Sequence, residues 1–141
     1  MTKLSKDFDS KEFECPHCGK IKVDPKLIEL LQKLRDKIME PIFVTSGYRC
    51  KTYNKSVGGY KNSPHIDGRA VDCYTKFVDL VIFAKIAKKV GFPRIGLYNT
   101  FLHLDIIPPS PSSSWVRNNG TYSYFLTLEE AISFANTIQL W

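Results

Sequence analysis

The chain has 141 residues, of which 43% are hydrophobic and 13% aromatic, which is enough for one domain with a buried core. Its formal net charge of +6 suits an anionic partner such as nucleic acid, a membrane surface or a teichoic-acid-rich cell wall. The sequence contains no apolar run that could span a bilayer, and its start, MTKLSKDFDS, lacks the apolar segment of a secretory signal. We therefore expect synthesis in the cytoplasm. The lysines form no run of five or more, and we interpret them mainly as solvated surface.

The first clear element is a helix. Residues 1–23 show no periodicity and are predicted to be irregular, whereas VDPKLIELLQKLRDKIM carries leucines at helical spacing. Asp24 is a favourable N-cap, and Pro25 fits the first helical position. The segment PIFVTS then predicts a strand. A stretch rich in Gly, Asn, Ser, Lys and Tyr follows from Gly47 to Pro64, and we predict a long loop, which in a small domain is often functional.

The middle of the chain predicts a strand followed by a second helix. In RAVDCY, period-two alternation directs Val71 and Cys73 to the core and Asp72 to the opposite face. The segment FVDLVIFAKIAKKVG then predicts a helix that ends in two lysines, with Gly91 just beyond its C-terminus.

The remaining elements are short. Two strands are predicted near residues 94–98 and 101–107, and PPSPSSS at 108–114 predicts a surface loop. Asn119-Gly120 indicates a hairpin, and Thr127 followed by Glu130 predicts the capping box of a last helix. Residues 109–141 carry no motif that indicates a function. Helices and short strands that do not strictly alternate predict an α+β fold with a small, mainly antiparallel sheet.

The cysteines leave several interpretations open. CPHCG places Cys15 and Cys18 in a CxxC knuckle, which is half of a structural zinc site. Cys50 and Cys73 could complete it, and His17 is interpreted as a surface residue rather than a ligand. Free thiols, one disulfide or packing as small apolar side chains are the alternatives.

A second group of residues suggests metal chemistry. His65 ends the polar loop, Asp72 lies on one predicted strand, and His103 lies on another with the same alternation, which also places Asp105 on the His103 side. If the two strands are neighbours, two imidazoles and one carboxylate meet on one sheet face. This set suits zinc, and three protein ligands leave a fourth position for water. The alternative is that the histidines are ordinary surface or core residues and that the aspartates cap turns or pair with lysines.

The segments SGYRC, YNKSVGG, SPHIDGRAVD and GLYNTFLHLD resemble the zinc D-Ala-D-Ala carboxypeptidase family of peptidoglycan peptidases. The wider group also holds lysostaphin-type endopeptidases and the hedgehog signalling domain. The resemblance covers roughly Phe8 to Pro108 of what we expect to be a single domain, 1–141. The pattern SxHxxGxAxD is matched by Ser63, His65, Gly68, Ala70 and Asp72, and a later His-x-Asp by His103 and Asp105.

The resemblance implies that His65, Asp72 and His103 bind one catalytic zinc ion on the sheet face opposite the helices. It also implies that the arginine of SGYR, Arg49, lies in the substrate cleft, where its fork would bind the peptide's carboxylate or carbonyl groups. A plain surface cation is the alternative for Arg49.

Three further residues are candidates for the cleft. Ser46 and Ser63 could donate hydrogen bonds there, and a turn or capping role is the alternative for each. Tyr98 could line the cleft or lie in the core.

One departure from the family concerns the general base. Many active members carry a glutamate or aspartate three residues before the last zinc histidine, where this chain has Thr100, and the next position is Phe101. Asp105 is the best remaining candidate for the base. The alternative is that Asp105 orients a ligand or Arg49. Asp67 is interpreted as a turn residue.

These observations lead to two hypotheses. The first is a monomeric zinc peptidase that cleaves peptidoglycan stem peptides as a carboxypeptidase or an endopeptidase. We expect such a protein to reach the wall as a phage lysin released through phage-made holes, or as a virion component. The second is a catalytically weak or inactive module that binds wall peptide or a protein through the same fold. Nucleic-acid binding is a third class, but the chain lacks a basic stripe and an aromatic RNA-binding motif.

Overall fold

A computed structural model describes residues 2–141. Its helices, in chain order, are α1 (Pro25–Ile38), α2 (Lys51–Ser56), α3 (Leu80–Val90) and α4 (Leu128–Thr137), and two 3-10 helices span Ser10–Phe13 and Pro64–Asp67. The strands are β1 (Lys3–Ser5), β2 (Phe8–Asp9), β3 (Phe43–Ser46), β4 (Ala70–Tyr74), β5 (Arg94–Leu97), β6 (Leu102–Asp105), β7 (Ser114–Asn118) and β8 (Thr121–Phe125).

Six of the strands form one sheet in the order β3-β4-β6-β5-β7-β8. All neighbouring strands in it are antiparallel except β5 and β7, which run parallel. The first two strands form a separate small hairpin. The predicted α+β class with a mainly antiparallel sheet is therefore confirmed. None of the helices at residues 2–141 has the length and apolar character that a membrane crossing requires.

The hydrophobic core lies between one face of the six-stranded sheet and the three longer helices. Alternate residues of the central strands, including Val71 of β4 and Leu104 of β6, are inaccessible to solvent. They pack against apolar side chains of α1, α3 and α4 in one continuous cluster. Because the helices cover only this face, the polar residues at the alternate strand positions lie on the other face.

The helix ends follow from local chemistry. Asp24 caps α1 by accepting a hydrogen bond from the amide of Lys26 at 2.9 Å. Thr127 caps α4 by accepting from the amide of Glu130 at 3.2 Å, but the Glu130 carboxylate accepts from the Thr127 hydroxyl rather than from its amide, so only half of the predicted capping box forms. Gly91 ends α3 with a left-handed φ of 117°. This helix begins at Leu80, later than the apolar pattern suggests, because the carboxylate of Asp79 caps it by accepting from the amide of Ile82.

Two predictions about irregular segments were wrong. Residues 1–23 contain the β1–β2 hairpin and a 3-10 helix, and the predicted loop from Gly47 to Pro64 contains α2. Each of these elements is too short to show hydrophobic periodicity. The N-terminal elements are held by tertiary packing instead, since Phe8 and Phe13 are almost completely buried in the main core.

The strand register aligns one residue from each strand of the sheet into a single transverse row. Directly paired residues on neighbouring strands point to the same face. The row consists of Ser46, Asp72, His103, Gly96, Trp115 and Tyr124.

The glycine of the SxHxxGxAxD pattern has a steric explanation. Gly68 follows the 3-10 helix that carries His65 and has a left-handed φ of 69°. A Cβ at this position would lie 2.2 Å from the backbone oxygen of Lys22. A residue with a side chain would therefore be strained in its backbone and would also push the N-terminal segment away.

We expect Gly68→Ala to lower the free energy of unfolding by about 2–4 kcal/mol, because backbone strain and a clash with rigid backbone add together. Chemical denaturation monitored by circular dichroism measures this change. Gly58→Ala is the matched control, since Gly58 also has a left-handed φ, of 74°, but a Cβ there would have no atom within 4 Å. Equal losses in the two variants would show that the contact with Lys22 does not matter.

Candidate metal centre

Three separate elements bring His65, Asp72 and His103 together. His65 lies on the second 3-10 helix, whose N-cap Ser63 accepts a hydrogen bond from the His65 amide. Asp72 lies on β4 and His103 on β6, where the two residues are direct partners in the strand register. All three side chains are buried, and one potential ligand atom from each lies within 4.8 Å of the other two.

The outer nitrogen of each imidazole has a partner that fixes the ring. His65 Nδ1 lies 2.8 Å from the carbonyl oxygen of Gly47, and His103 Nε2 lies 2.7 Å from Asp105 Oδ2. Because a carbonyl oxygen only accepts, His65 donates from Nδ1, and a neutral His103 donates from Nε2 to the Asp105 carboxylate. The remaining nitrogens of the neutral rings, His65 Nε2 and His103 Nδ1, therefore carry lone pairs.

These two lone pairs point at the same carboxylate oxygen. Asp72 Oδ1 lies 3.2 Å from His65 Nε2 and 3.1 Å from His103 Nδ1. Three electron-rich atoms in a buried site repel one another unless a cation or added protons lie between them. Two neutral imidazoles and a carboxylate, each held by a further hydrogen bond, are a ligand set that zinc prefers. The residues present therefore fit a zinc ion.

The protonation equilibria reflect the same crowding. Burial lowers the pKa of His65. Burial also opposes protonation of His103, but hydrogen bonds to Asp105 and Asp72 outweigh it and raise the pKa of His103 to about 9. Without a metal, His103 therefore carries a second proton at neutral pH, and a zinc ion must displace that proton from Nδ1 to gain the neutral imidazole as a ligand. For Asp72, burial favours the neutral acid, yet the neighbouring histidines hold the pKa of its carboxyl well below the usual range. The carboxylate is thus ionised at neutral pH, as a metal ligand requires.

Asp105 is enclosed behind His103. Its side chain is fully buried and does not line the cleft described below. Arg94 donates to both carboxylate oxygens, with the shortest distance 2.8 Å, and the amide of Ile107 donates to Oδ1 at 3.0 Å. Burial disfavours the charge, but His103 and Arg94 hold the pKa of Asp105 below its usual value.

The three residues open onto a cleft of about 720 Å³. Of the residues that the sequence suggests for the cleft, Arg49, Ser63 and Tyr98 line it, whereas Ser46 lies behind Arg49. Thr100 is exposed in the turn between β5 and β6 and does not contribute to the lining. Among residues 2–141, Asp72 is the only carboxylate in the cleft wall.

Arg49 is held in place by three polar contacts. Its guanidinium donates to Asp72 Oδ2 at 3.0 Å, to Ser46 Oγ at 3.0 Å and to Asn54 Oδ1 at 3.3 Å. Only 15% of its side chain is exposed, so Arg49 is not a plain surface cation. The Asp72 carboxylate thus has one oxygen facing the histidines and the other neutralised by an arginine.

The cleft is also lined by residues that the sequence patterns do not single out: Tyr60, Arg94, Trp115, Tyr122 and Tyr124. The alternation of tyrosines after Asn119-Gly120 predicts a shared face for two of them. It does not predict that β7 pairs with β5, which is what brings the hairpin to the site.

Trp115 and Gly96 form one unit at the cleft. The Trp115 ring lies 4.9 Å from the His103 ring between centroids. A Cβ on Gly96 would lie 2.5 Å from Trp115 ring atoms, so the glycine makes room for the indole.

A comparison with protein-family models matches residues 4–105 to the family described as Peptidase M15. Because the match spans most of the chain and the His-Asp-His set lies within it, the protein belongs to the peptidase M15 family, whose members are zinc metallopeptidases. The resemblance to zinc D-Ala-D-Ala carboxypeptidase-like enzymes is thereby confirmed. A search of curated proteins found no match.

We expect His65→Ala to lose the zinc ion of this site, because only two of three protein ligands remain. Metal analysis after dialysis should show one equivalent of zinc fewer per chain than in the wild type. His103→Ala should give the same loss. Zinc content equal to the wild type in both variants would refute this ligand assignment.

We expect Asp105→Asn to weaken zinc binding by about 10–100-fold, because the carboxylate that fixes the His103 ring is replaced by a neutral amide. Competition with a chromogenic chelator measures the affinity. An unchanged zinc affinity accompanied by a large fall in turnover would instead indicate a direct role as general base.

Proposed function

We propose that this protein is a zinc peptidase that cleaves the stem peptides of peptidoglycan, as a D-Ala-D-Ala carboxypeptidase or as an endopeptidase. The observation that supports this proposal most strongly is the buried His65–Asp72–His103 set, which opens onto a cleft beside the oriented guanidinium of Arg49. Membership of the M15 family supports the reaction class.

His65, Asp72 and His103 would hold the zinc ion. When bound, zinc supplies Lewis-acid polarisation of the scissile carbonyl and lowers the pKa of a water molecule. The ionised Asp72 and two neutral imidazoles give the ligand set a single negative charge, which leaves the ion most of its positive charge.

Arg49 and Arg94 both line the cleft and supply positive charge to it. We propose that Arg49 binds a carboxylate or carbonyl group of the peptide, since Ser46, Asn54 and Asp72 already fix the plane of its guanidinium. A cleft lined by Arg49, Lys61 and Arg94 and by a single carboxylate, Asp72, attracts an anionic substrate. A stem peptide with a free C-terminus has that character.

Tyr98 is proposed as a hydrogen-bond donor to the oxyanion that forms at the scissile carbonyl. Its hydroxyl accepts a hydrogen bond from Trp115 Nε1 at 3.4 Å, which leaves its own proton available. Burial raises the pKa of Tyr98, so the hydroxyl stays protonated at neutral pH. Ser63 also lines the cleft, and its hydroxyl oxygen accepts from the His65 amide, which likewise leaves the Ser63 proton available to a substrate.

The role of Asp105 as general base stays a prediction, and its contacts favour the alternative role. Both carboxylate oxygens are engaged by His103, Arg94 and the Ile107 amide, and none faces the cleft. We therefore propose Asp105 as a positioning residue that acts through His103.

The second candidate function is a wall-binding module with weak or no catalysis. The observation that favours it is the cleft wall itself, which within residues 2–141 contains no carboxylate other than the ligand Asp72. Without a general base, substrate would bind beside the metal and be cleaved slowly or not at all. Under either function, the positive net charge suits an anionic cell wall, and we propose a phage lysin or virion protein as the biological setting.

We expect the protein to release D-alanine or shortened peptides from purified stem peptides that end in D-Ala-D-Ala. Activity should fall to background with a chelator and return when zinc is added, while His65→Ala should stay inactive under all conditions. Mass spectrometry of the products identifies the bond that is cleaved. Binding of the same peptides by calorimetry without any product would support the binding module and contradict the peptidase.

A further inference from the structure

A second cluster of metal-ligating side chains lies outside the cleft. Cys15, Cys18 and Cys50 have sulfur atoms that all lie within 4.8 Å of one another. A tetrahedral zinc ion holds thiolate sulfurs about 3.8 Å apart, because each Zn–S bond is about 2.3 Å long. Small side-chain movements are therefore enough to bring the three sulfurs to one ion. Cys73, which the sequence offered as another partner, is instead buried in the core on β4.

The backbone around the three sulfurs is arranged as in a metal-binding knuckle. The chain turns back after Cys15, whose carbonyl accepts from the amide of Gly19 at 2.9 Å, and Gly19 has a left-handed φ of 70°. This turn brings Cys18 next to Cys15. Cys50 comes from a distant part of the chain, where it occupies the N-cap of α2.

Backbone amides donate to two of the sulfurs. The amide of Cys50 donates to Cys15 Sγ, and the amide of Tyr53 donates to Cys50 Sγ, each at 3.4 Å. Such N–H groups stabilise thiolates, which are the form that binds metal. A disulfide would use two of the three sulfurs and leave the third over, whereas a metal ion would use all of them.

A fourth donor lies beside the cysteines. His17 Nδ1 lies 3.5 Å from Cys50 Sγ, and the residue is exposed to solvent. We propose that Cys15, Cys18 and Cys50, with His17 as the fourth ligand, bind a structural zinc ion separate from the one in the cleft. Three thiolates and one imidazole close the coordination shell, which is typical of zinc sites that stabilise a fold.

The proposed ion would lie next to the segment that carries Arg49, a residue of the cleft. Cys50 directly follows Arg49, and the preceding Tyr48 donates its amide to the carbonyl of Phe13 at 3.0 Å. Arg49 in turn donates its amide to His65 O and its guanidinium to Asp72. An ion that ties the knuckle to Cys50 would therefore hold the segment that presents Arg49. In this role, Cys15, Cys18 and Cys50 are residues that position Arg49.

The decisive experiment isolates this site by removing the other one. The His65→Ala chain, purified under reducing conditions, should retain one equivalent of zinc, and the His65→Ala/Cys18→Ser chain should retain none. Cys18 is exposed, so its replacement does not disturb the core. His65→Ala/Cys73→Ala is the matched control, because it also removes one thiol, and it should keep its zinc. Because zinc content is measured without any peptidase assay, the result does not depend on whether the proposed function is correct.

Cobalt supplies a second measurement. Co²⁺ added to the metal-free His65→Ala chain should produce the near-ultraviolet absorption of thiolate-to-cobalt charge transfer, and Cys18→Ser should abolish it. His17→Ala should lower the affinity without abolishing the absorption, since three thiolates remain. The proposal would be overturned if the His65→Ala chain is purified without bound metal and all its thiols react with a thiol reagent. A disulfide among these cysteines in the reduced preparation would also overturn it. An unaltered affinity in His17→Ala would overturn the fourth ligand.

Hydrogen exchange tests the effect on Arg49. Removal of zinc from the His65→Ala chain should increase amide exchange in residues 48–53, while β5 and β6 stay protected. Unchanged exchange in residues 48–53 after loss of the ion would overturn the positioning role.

Discussion

The candidate active site depends on the pairing of β4 with β6. That pairing places Asp72 directly opposite His103, and the same row continues through Gly96 to Trp115. A shift of one residue would turn Asp72 and His103 to the helix-covered face and bring Val71 or Leu104 to the cleft. The burial of the apolar residues against the helices therefore fixes the register, and the register assembles the metal ligands. Stability and function are coupled through the two faces of the same strands.

The polar side of the sheet is stabilised by charge compensation. Asp72 and Asp105 are both buried, and each is paired with one arginine and with one ring nitrogen of His103. Burial of an unpaired carboxylate would cost several kcal/mol, so each arginine is a structural partner as well as a source of positive charge in the cleft. This dual use explains why a site with so much buried charge has one defined geometry. Because Arg94 and His103 engage the Asp105 carboxylate, Asp105 does not reach the cleft on the other side of His103.

The C-terminal hairpin and the N-terminal knuckle add to this centre from opposite ends of the chain. The hairpin supplies aromatic side chains to the lining of the cleft through the parallel pairing of β7 with β5. The knuckle residues contact the segment that carries Arg49. Segments without a motif of their own thus shape the cleft, because the sheet brings strands that are distant in sequence to neighbouring positions.

The sequence by itself determined the helices with strong caps, the alternation that directs Asp72, His103 and Asp105 away from the core, and the family. These features depend on local spacing and on short motifs, which a linear pattern records. Only the tertiary structure decided that Asp105 lies behind His103, that Cys50 rather than Cys73 joins Cys15 and Cys18, and that Trp115 lines the cleft. Each of these depends on strand order or on contacts between distant segments. No local pattern encodes them, because they result from packing of the whole chain.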